Sequence, residues 1–217
     1  MMRNLTSPLA GLYLVTPDWD DTDQLITVTE QALLGGAAVV QYRHKLASAD
    51  LRLEQAGALL ALCRKYEVPF IVNDHVELCL QLDADGVHVG GTDVSVAVAR
   101  KAVGADKIVG ASCYGDLDLA HTAFMAGASY VAFGGFYPSR VKKYPVTTSA
   151  DIVSSACAAI PLPNVVIGGM SVENCQPLIA AGAHMVAAIS SVYLAIDPQA
   201  AAREFAQLFQ TKNPKQT

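Results

Sequence analysis

Short apolar runs alternate with longer amphipathic ones almost from end to end of this chain, and few folds accept that pattern. The strand-like runs are GLYLVT, AAVVQYR, PFIVND, GVHVG, KIVGAS, YVAFGG, NVVIGG and HMVAAIS. Helical spacing of apolar residues predicts helices over Thr22 to Leu34, Ser48 to Tyr66, Val76 to Leu82, Val94 to Val103, Asp116 to Ala126, Thr148 to Ala159, Val172 to Ala181 and Pro198 to Phe209. Strands separated by helices run parallel, and strands covered on both faces read as continuously apolar, as these do. The expectation is an α/β protein, a (β/α)8 TIM barrel over residues 1–210, with the polar residues 211–217 forming a frayed tail. A doubly wound open sheet is the competitor, but no G-x-G-x-x-G follows the first strand. Three of the turns into strands, GGAAVV, AGASYV and AGAHMV, repeat a glycine suited to a helix C-cap, as expected of one unit reused around a ring.

Composition narrows the class. Hydrophobic residues make up 52% of the chain and charged ones 16%, which supplies a large core. A formal net charge of −5 gives no general attraction for nucleic acid, so any anion must be caught locally. The five cysteines form no C-x-x-C pair and read as reduced, mostly buried thiols. The sequence MMRNLTSPLAGLYLVTPDWDD is a poor signal peptide, and no apolar run has the length of a membrane span. A cytoplasmic enzyme without membrane or nucleic-acid partners is the expectation; the oligomeric state is left open, with a homo-oligomer among the options.

In such barrels chemistry sits at the C-terminal ends of the strands. The second strand run leads into QYRHK, where Gln41, Arg43 and Lys45 recur at every second position and so share one face. The third ends in Asn73 and Asp74, the fourth in His88 with Asp93 shortly after, and the fifth in Ser112. The sixth leads to Ser139, Arg140, Lys142 and Lys143, the seventh to Gly168 and Gly169, and the eighth to Ser190 and Ser191. Each has a bland reading: Asn73 and Asp74 as a helix cap, His88 as a satisfied core histidine, the lysines as a solvated loop. What the bland readings leave unexplained is that cations, carboxylates and amides all fall at the same end of successive strands. Asp74 and Asp93 are hard oxygen donors suited to Mg²⁺ that is also held by substrate phosphates. Arg43, Lys45 and Lys142 surround further phosphate charge, and the glycine turn of IGGMS with AISS forms a second, smaller anion site.

These motifs resemble the thiamine phosphate synthase (thiamine-phosphate pyrophosphorylase) family. LYLVT is similar to its first strand, QYRHK to its Gln-x-Arg-x-Lys, VND to its Asn-Asp, DGVHVGGTD to its His-Val-Gly strand and second aspartate, and VGAS to its Gly-x-Ser. VVIGGM and AGAHMVAAISS are similar to its final phosphate site, so the resemblance runs through nearly the whole chain. It implies a transferase that joins hydroxymethylpyrimidine diphosphate to thiazole phosphate and releases pyrophosphate. It further implies that Gln41, Arg43, Lys45 and Asn73 contact the pyrimidine diphosphate and that Asp74 and Asp93 bind Mg²⁺. Ser112 and Lys142 would hold the departing pyrophosphate, with Arg43 and Lys45 sharing in catalysis; Ser139, Gly169, Ile189 and Ser190 would receive the thiazole phosphate.

The chain departs from the family in two places. PSRVK stands where Pro-Thr-x-Thr-Lys is usual, so Val141 lacks a hydroxyl, and GGTD stands where Gly-Gln-Glu-Asp is frequent. A thiazole tautomerase-like isomerase is the nearest rival; it needs a positioned acid or base, and a His two residues past Ser112 would have supported it, where this chain has Tyr114. A non-catalytic regulator binding a phosphorylated ligand is the rival from another class.

Overall fold

Eight parallel strands pair in chain order and close on themselves, β1 meeting β8 through Gly11 opposite Met185 to Leu14 opposite Ala188. The structure, a computed structural model, describes residues 9–91, 93–138 and 148–210. The order is β1 (Gly11–Val15), α1 (Thr22–Leu34), β2 (Val39–Tyr42), α2 (Ala49–Lys65), β3 (Phe70–Asn73), α3 (Val76–Leu82), β4 (Gly86–Val89), α4 (Val96–Val103), β5 (Ile108–Tyr114) and α5 (Leu117–Met125). It continues with β6 (Tyr130–Gly134), α6 (Asp151–Ala159), β7 (Asn164–Ile167), α7 (Val172–Ala180), β8 (Met185–Ala188), α8 (Ser190–Tyr193) and α9 (Pro198–Gln210). This is the (β/α)8 barrel expected from the alternation. The expected tail at 211–217 lies outside the described residues, as do Ser139, Arg140, Val141, Lys142 and Lys143.

Strand period 2 divides the core in two. Tyr13, Val39, Ile71, Ile108, Tyr130, Val165 and Met185 point inward and fill the barrel. Their neighbours Leu12, Leu14, Val40, Val72, Val87, Val131 and Val166 point outward and pack under the helices. Burying each such aliphatic side chain is worth roughly 1.5–3 kcal/mol, which is why strands with two apolar faces are stable only inside a helical ring.

Several helices begin later than periodicity alone implies, because their first polar residue is a cap. Ser48, Ser95 and Asp116 stay extended and accept backbone N–H bonds from Leu51, Val98 and both Asp118 and Leu119. Helix α6 starts at Asp151 and not at Thr148, whose hydroxyl instead donates to the carbonyl of Gly134. The one-turn helix α8 was not expected; four residues are too few to display a helical period.

The repeated glycine turns have one geometry. After α1, α5 and α7, the N–H of Gly36, Gly127 and Gly182 donates to Leu33, Phe124 and Ile179, and the next residue's N–H donates to Ala32, Ala123 and Leu178. That pair of bonds is the Schellman motif, and it needs a residue at positive φ, here +102°, +90° and +116°. Gly182 is the most confined of the three, since a Cβ there would lie 2.8 Å from Cys157 Sγ. Gly182→Ala is expected to destabilise the protein by about 1–3 kcal/mol through backbone strain, read as a lowered urea midpoint with unchanged m-value; an unshifted midpoint would contradict the motif.

Candidate active site

The C-terminal ends of the strands surround one cavity of about 540 Å³. Gln41, Arg43, Lys45, Asn73, Asp74, Asp93, Ser112, Gly169, Ile189 and Ser190 all line it, so every described member of the expected site reaches the same space. Ser139 and Lys142 lie outside the described residues.

The QYRHK segment keeps its alternation beyond the end of β2 because β1 carries the pairing onward. Thr16 N–H donates to the Gln41 carbonyl, and the Thr16 hydroxyl both accepts from Arg43 N–H at 2.8 Å and donates to the Arg43 carbonyl at 3.0 Å. One buried hydroxyl thus replaces a strand neighbour. Tyr42 and His44 turn away from the cavity, toward Gln55 at 3.0 Å and Asp20 at 3.1 Å. Asp18, in the loop after β1, accepts from Lys45 N–H at 2.9 Å and pairs with the Arg43 guanidinium at 3.3 Å. The same guanidinium has a buried Nε–H with no acceptor among the described residues. A buried donor left unpaired costs about 1–3 kcal/mol. Asp18 and Thr16 did not emerge from the sequence, where TPDWDD has only the look of a polar turn.

Asn73 and Asp74 are not helix caps: the residue capping α3 is His75, and no side chain closes that helix end. Asp74 has φ +63°, and its N–H donates to the His88 carbonyl at 2.8 Å. A non-glycine residue in that region is uncommon and marks a position held by its surroundings. From there its carboxyl meets that of Asp93, whose own loop is closed by Asp93 N–H to the Gly90 carbonyl at 3.0 Å and Gly90 N–H to Asp93 Oδ2 at 3.2 Å. Burial, the hydrogen bond that protonated Asp74 donates to Asp93 and the Asp93 charge push the Asp74 carboxyl up to about 6, with Lys45 and Arg43 pulling the other way. No cluster of three or more His, Cys, Asp or Glu occurs among the described residues. Two carboxylates alone suit Mg²⁺, which keeps several waters and takes substrate phosphate oxygens.

On the far wall Gly168 and Gly169 carry φ +116° and +62°. A Cβ on Gly169 would collide with the Pro138 carbonyl, so only glycine lets this turn pass so close. Asn174 fixes it from α7: its amide donates to the Gly169 carbonyl at 2.8 Å and completes a capping box with Ser171.

Beneath the cavity lie polar groups that the apolar strand pattern hid. Tyr13 on β1 receives a bond from Gln41 Nε2 at 2.8 Å and bonds to Tyr130 on β6 at 2.6 Å. Tyr130 reaches His88 Nδ1 at 2.9 Å, and His88 Nε2 reaches Ser112 at 2.9 Å. His88 is therefore a satisfied histidine and a wall of the cavity at once.

A closed parallel barrel with cations, paired carboxylates and a glycine turn at one mouth has the form of a barrel enzyme's active site. The family itself follows from comparison. Residues 12–192 match the family described as thiamine monophosphate synthase, and the chain belongs to that family of transferases. It is 67% identical over 205 residues to the thiamine-phosphate synthase of Janthinobacterium sp. (strain Marseille), covering 94% of this chain and 99% of that one. It is 49% identical to the thiamine-phosphate synthase of Methylobacillus flagellatus, covering 96% and 100%. The solved structure of thiamine phosphate pyrophosphorylase from Pyrococcus furiosus superposes with a TM-score of 0.81 at 29% identity, covering 93% of this chain and 96% of that one.

The Asp74–Asp93 pair has a pH signature. The folded pKa lies above the unfolded value of 3.8, so the stabilisation it carries is full below about pH 4 and is lost as pH rises through about 6. Without added divalent cation, Asp93→Asn is expected to raise the thermal midpoint more near pH 8 than near pH 4.5. Equal shifts at both pH values would refute the raised Asp74 pKa.

Proposed function

We propose that this protein is a thiamine phosphate synthase: it joins hydroxymethylpyrimidine diphosphate to thiazole phosphate, forms thiamine phosphate and releases pyrophosphate. The observation that carries the reading is the convergence, in one cavity, of Gln41, Arg43 and Lys45 with the Asp74–Asp93 pair and the Gly168–Gly169 turn.

In this reading Gln41 and Asn73 orient the pyrimidine, while Arg43 and Lys45 bind its diphosphate. Asp74 and Asp93 would hold Mg²⁺, which when bound would supply positive charge beside the diphosphate. The pyrimidine ring's electrons support the positive charge left on the methylene. Ser112 and Lys142 hold the departing pyrophosphate. Gly169, Ile189, Ser190 and Ser139 fix the thiazole phosphate so that the ring nitrogen faces the methylene and forms the new C–N bond. No side-chain nucleophile is consumed; positioning and electrostatic stabilisation supply the rate. The tautomerase alternative draws no support from the rim, where Tyr114 occupies the position its histidine would take.

The test is to incubate the purified protein with both substrates and Mg²⁺ and to detect thiamine phosphate, with a chelated control. Mg²⁺-dependent product is expected, and Lys45→Ala should lower kcat/KM on the order of a hundredfold. A folded protein that binds thiazole phosphate yet yields no product would overturn the reading.

A further inference from the structure

The buried polar groups under the cavity form one unbroken line across the barrel, and its direction can be worked out. The line runs from Gln41 on β2 through Tyr13, Tyr130 and His88 to Ser112 on β5. At its start, Gln41 Nε2 is an amide nitrogen and only donates, so Tyr13 Oη accepts. Burial pushes the pKa values of both phenols up, so both keep their protons. The Tyr13 proton has one partner among the described residues, Tyr130 Oη at 2.6 Å. If Tyr130 donated to Tyr13 instead, the Tyr13 proton would be a fully buried donor without an acceptor, an arrangement that costs more than the bond gains. Tyr13 therefore donates to Tyr130, and Tyr130 donates to His88 Nδ1. An imidazole that accepts at Nδ1 carries its proton on Nε2, which then donates to Ser112 Oγ.

The packing holds the same groups together. The Tyr13 and Tyr130 rings meet edge to face with centroids 5.8 Å apart, and His88 stacks on Tyr130 at 5.6 Å. Gly110, between them on β5, leaves the space they need: a Cβ there would clash with the Tyr130 phenol and lie 2.6 Å from His88 Nδ1. The glycine of VGAS thus has a physical reason in the bond it lets form.

We propose that Tyr13, Tyr130 and His88 are positioning residues that turn the hydroxyl proton of Ser112 outward into the cavity, where it donates to the departing diphosphate. A serine that already accepts from His88 cannot donate back to it, so its own proton is directed to the ligand. The role of the diphosphate rests on the synthase reading; the direction of the line does not. Tyr130 is the informative residue, because it lies beneath the cavity and is not among its lining residues.

The experiment has two arms on the full chain. Nitrogen-15 NMR of the wild-type protein reads the His88 tautomer directly: a proton on Nε2 is expected, and a proton on Nδ1 overturns the proposal without recourse to any variant. Calorimetric binding of pyrophosphate with Mg²⁺, and separately of thiazole phosphate, is then compared for wild type, Tyr130→Phe, Ser112→Ala and the double variant. Tyr130→Phe should weaken pyrophosphate binding about tenfold while leaving thiazole phosphate binding unchanged. The double variant should bind pyrophosphate no more weakly than Ser112→Ala alone. Losses that add in the double variant would mean that Tyr130 acts only through general packing, and would overturn the proposal. Wild-type turnover, measured alongside, separates the two readings: tight pyrophosphate binding with no thiamine phosphate formed defeats the synthase reading and leaves the line of bonds standing.

Discussion

Closure of the sheet is the constraint from which the rest follows. Because β1 pairs with β8 as fully as with β2, no strand is an edge, and all eight C-terminal ends are held around a single mouth. Side chains distant in sequence then become neighbours with no freedom to drift apart. Gln41 and Ser112, or Asp74 and Gly169, share one cavity because the register of intervening strands leaves no alternative. The same closure forces alternation: Tyr42 must face Gln55 and the helices if Gln41 and Arg43 are to face the cavity.

Much of this was legible in the sequence, and the limits have physical causes. Strand and helix order could be read because burial on two faces leaves continuous apolar runs, and the glycine turns because a Schellman motif tolerates little else at C′. The cavity residues could be read because unlike charges at successive strand ends have no structural use. Asp18 was not legible: a carboxylate in a polar turn looks the same whether it faces water or, as here, the Arg43 guanidinium. Tyr13 and Tyr130 were hidden for the opposite reason, since a tyrosine in an apolar strand registers as hydrophobic bulk while its hydroxyl does separate work. Helix α8 escaped because one turn has no period.

Local chemistry and global charge pull in different directions in this molecule. A chain with a net charge of −5 gathers Arg43 and Lys45 at one mouth and sets Asp18 against Arg43 behind them. Asp74 and Asp93 add negative charge at the same place, which raises the Asp74 pKa while Lys45 and Arg43 offset part of the repulsion. The site is thus built from like and unlike charges balanced at short range, and its electrostatics depend on what else is bound.

The line from Gln41 to Ser112 crosses a barrel whose walls are too tightly paired to yield. Signals between opposite sides of a binding site are often pictured as displacements of loops or helices. Here the two walls are connected by the orientation of four protons, held in one direction because the Gln41 amide nitrogen can only donate. A rigid scaffold can in this way set the polarity of a hydroxyl on one wall from an amide on the other, with no part of the backbone moving.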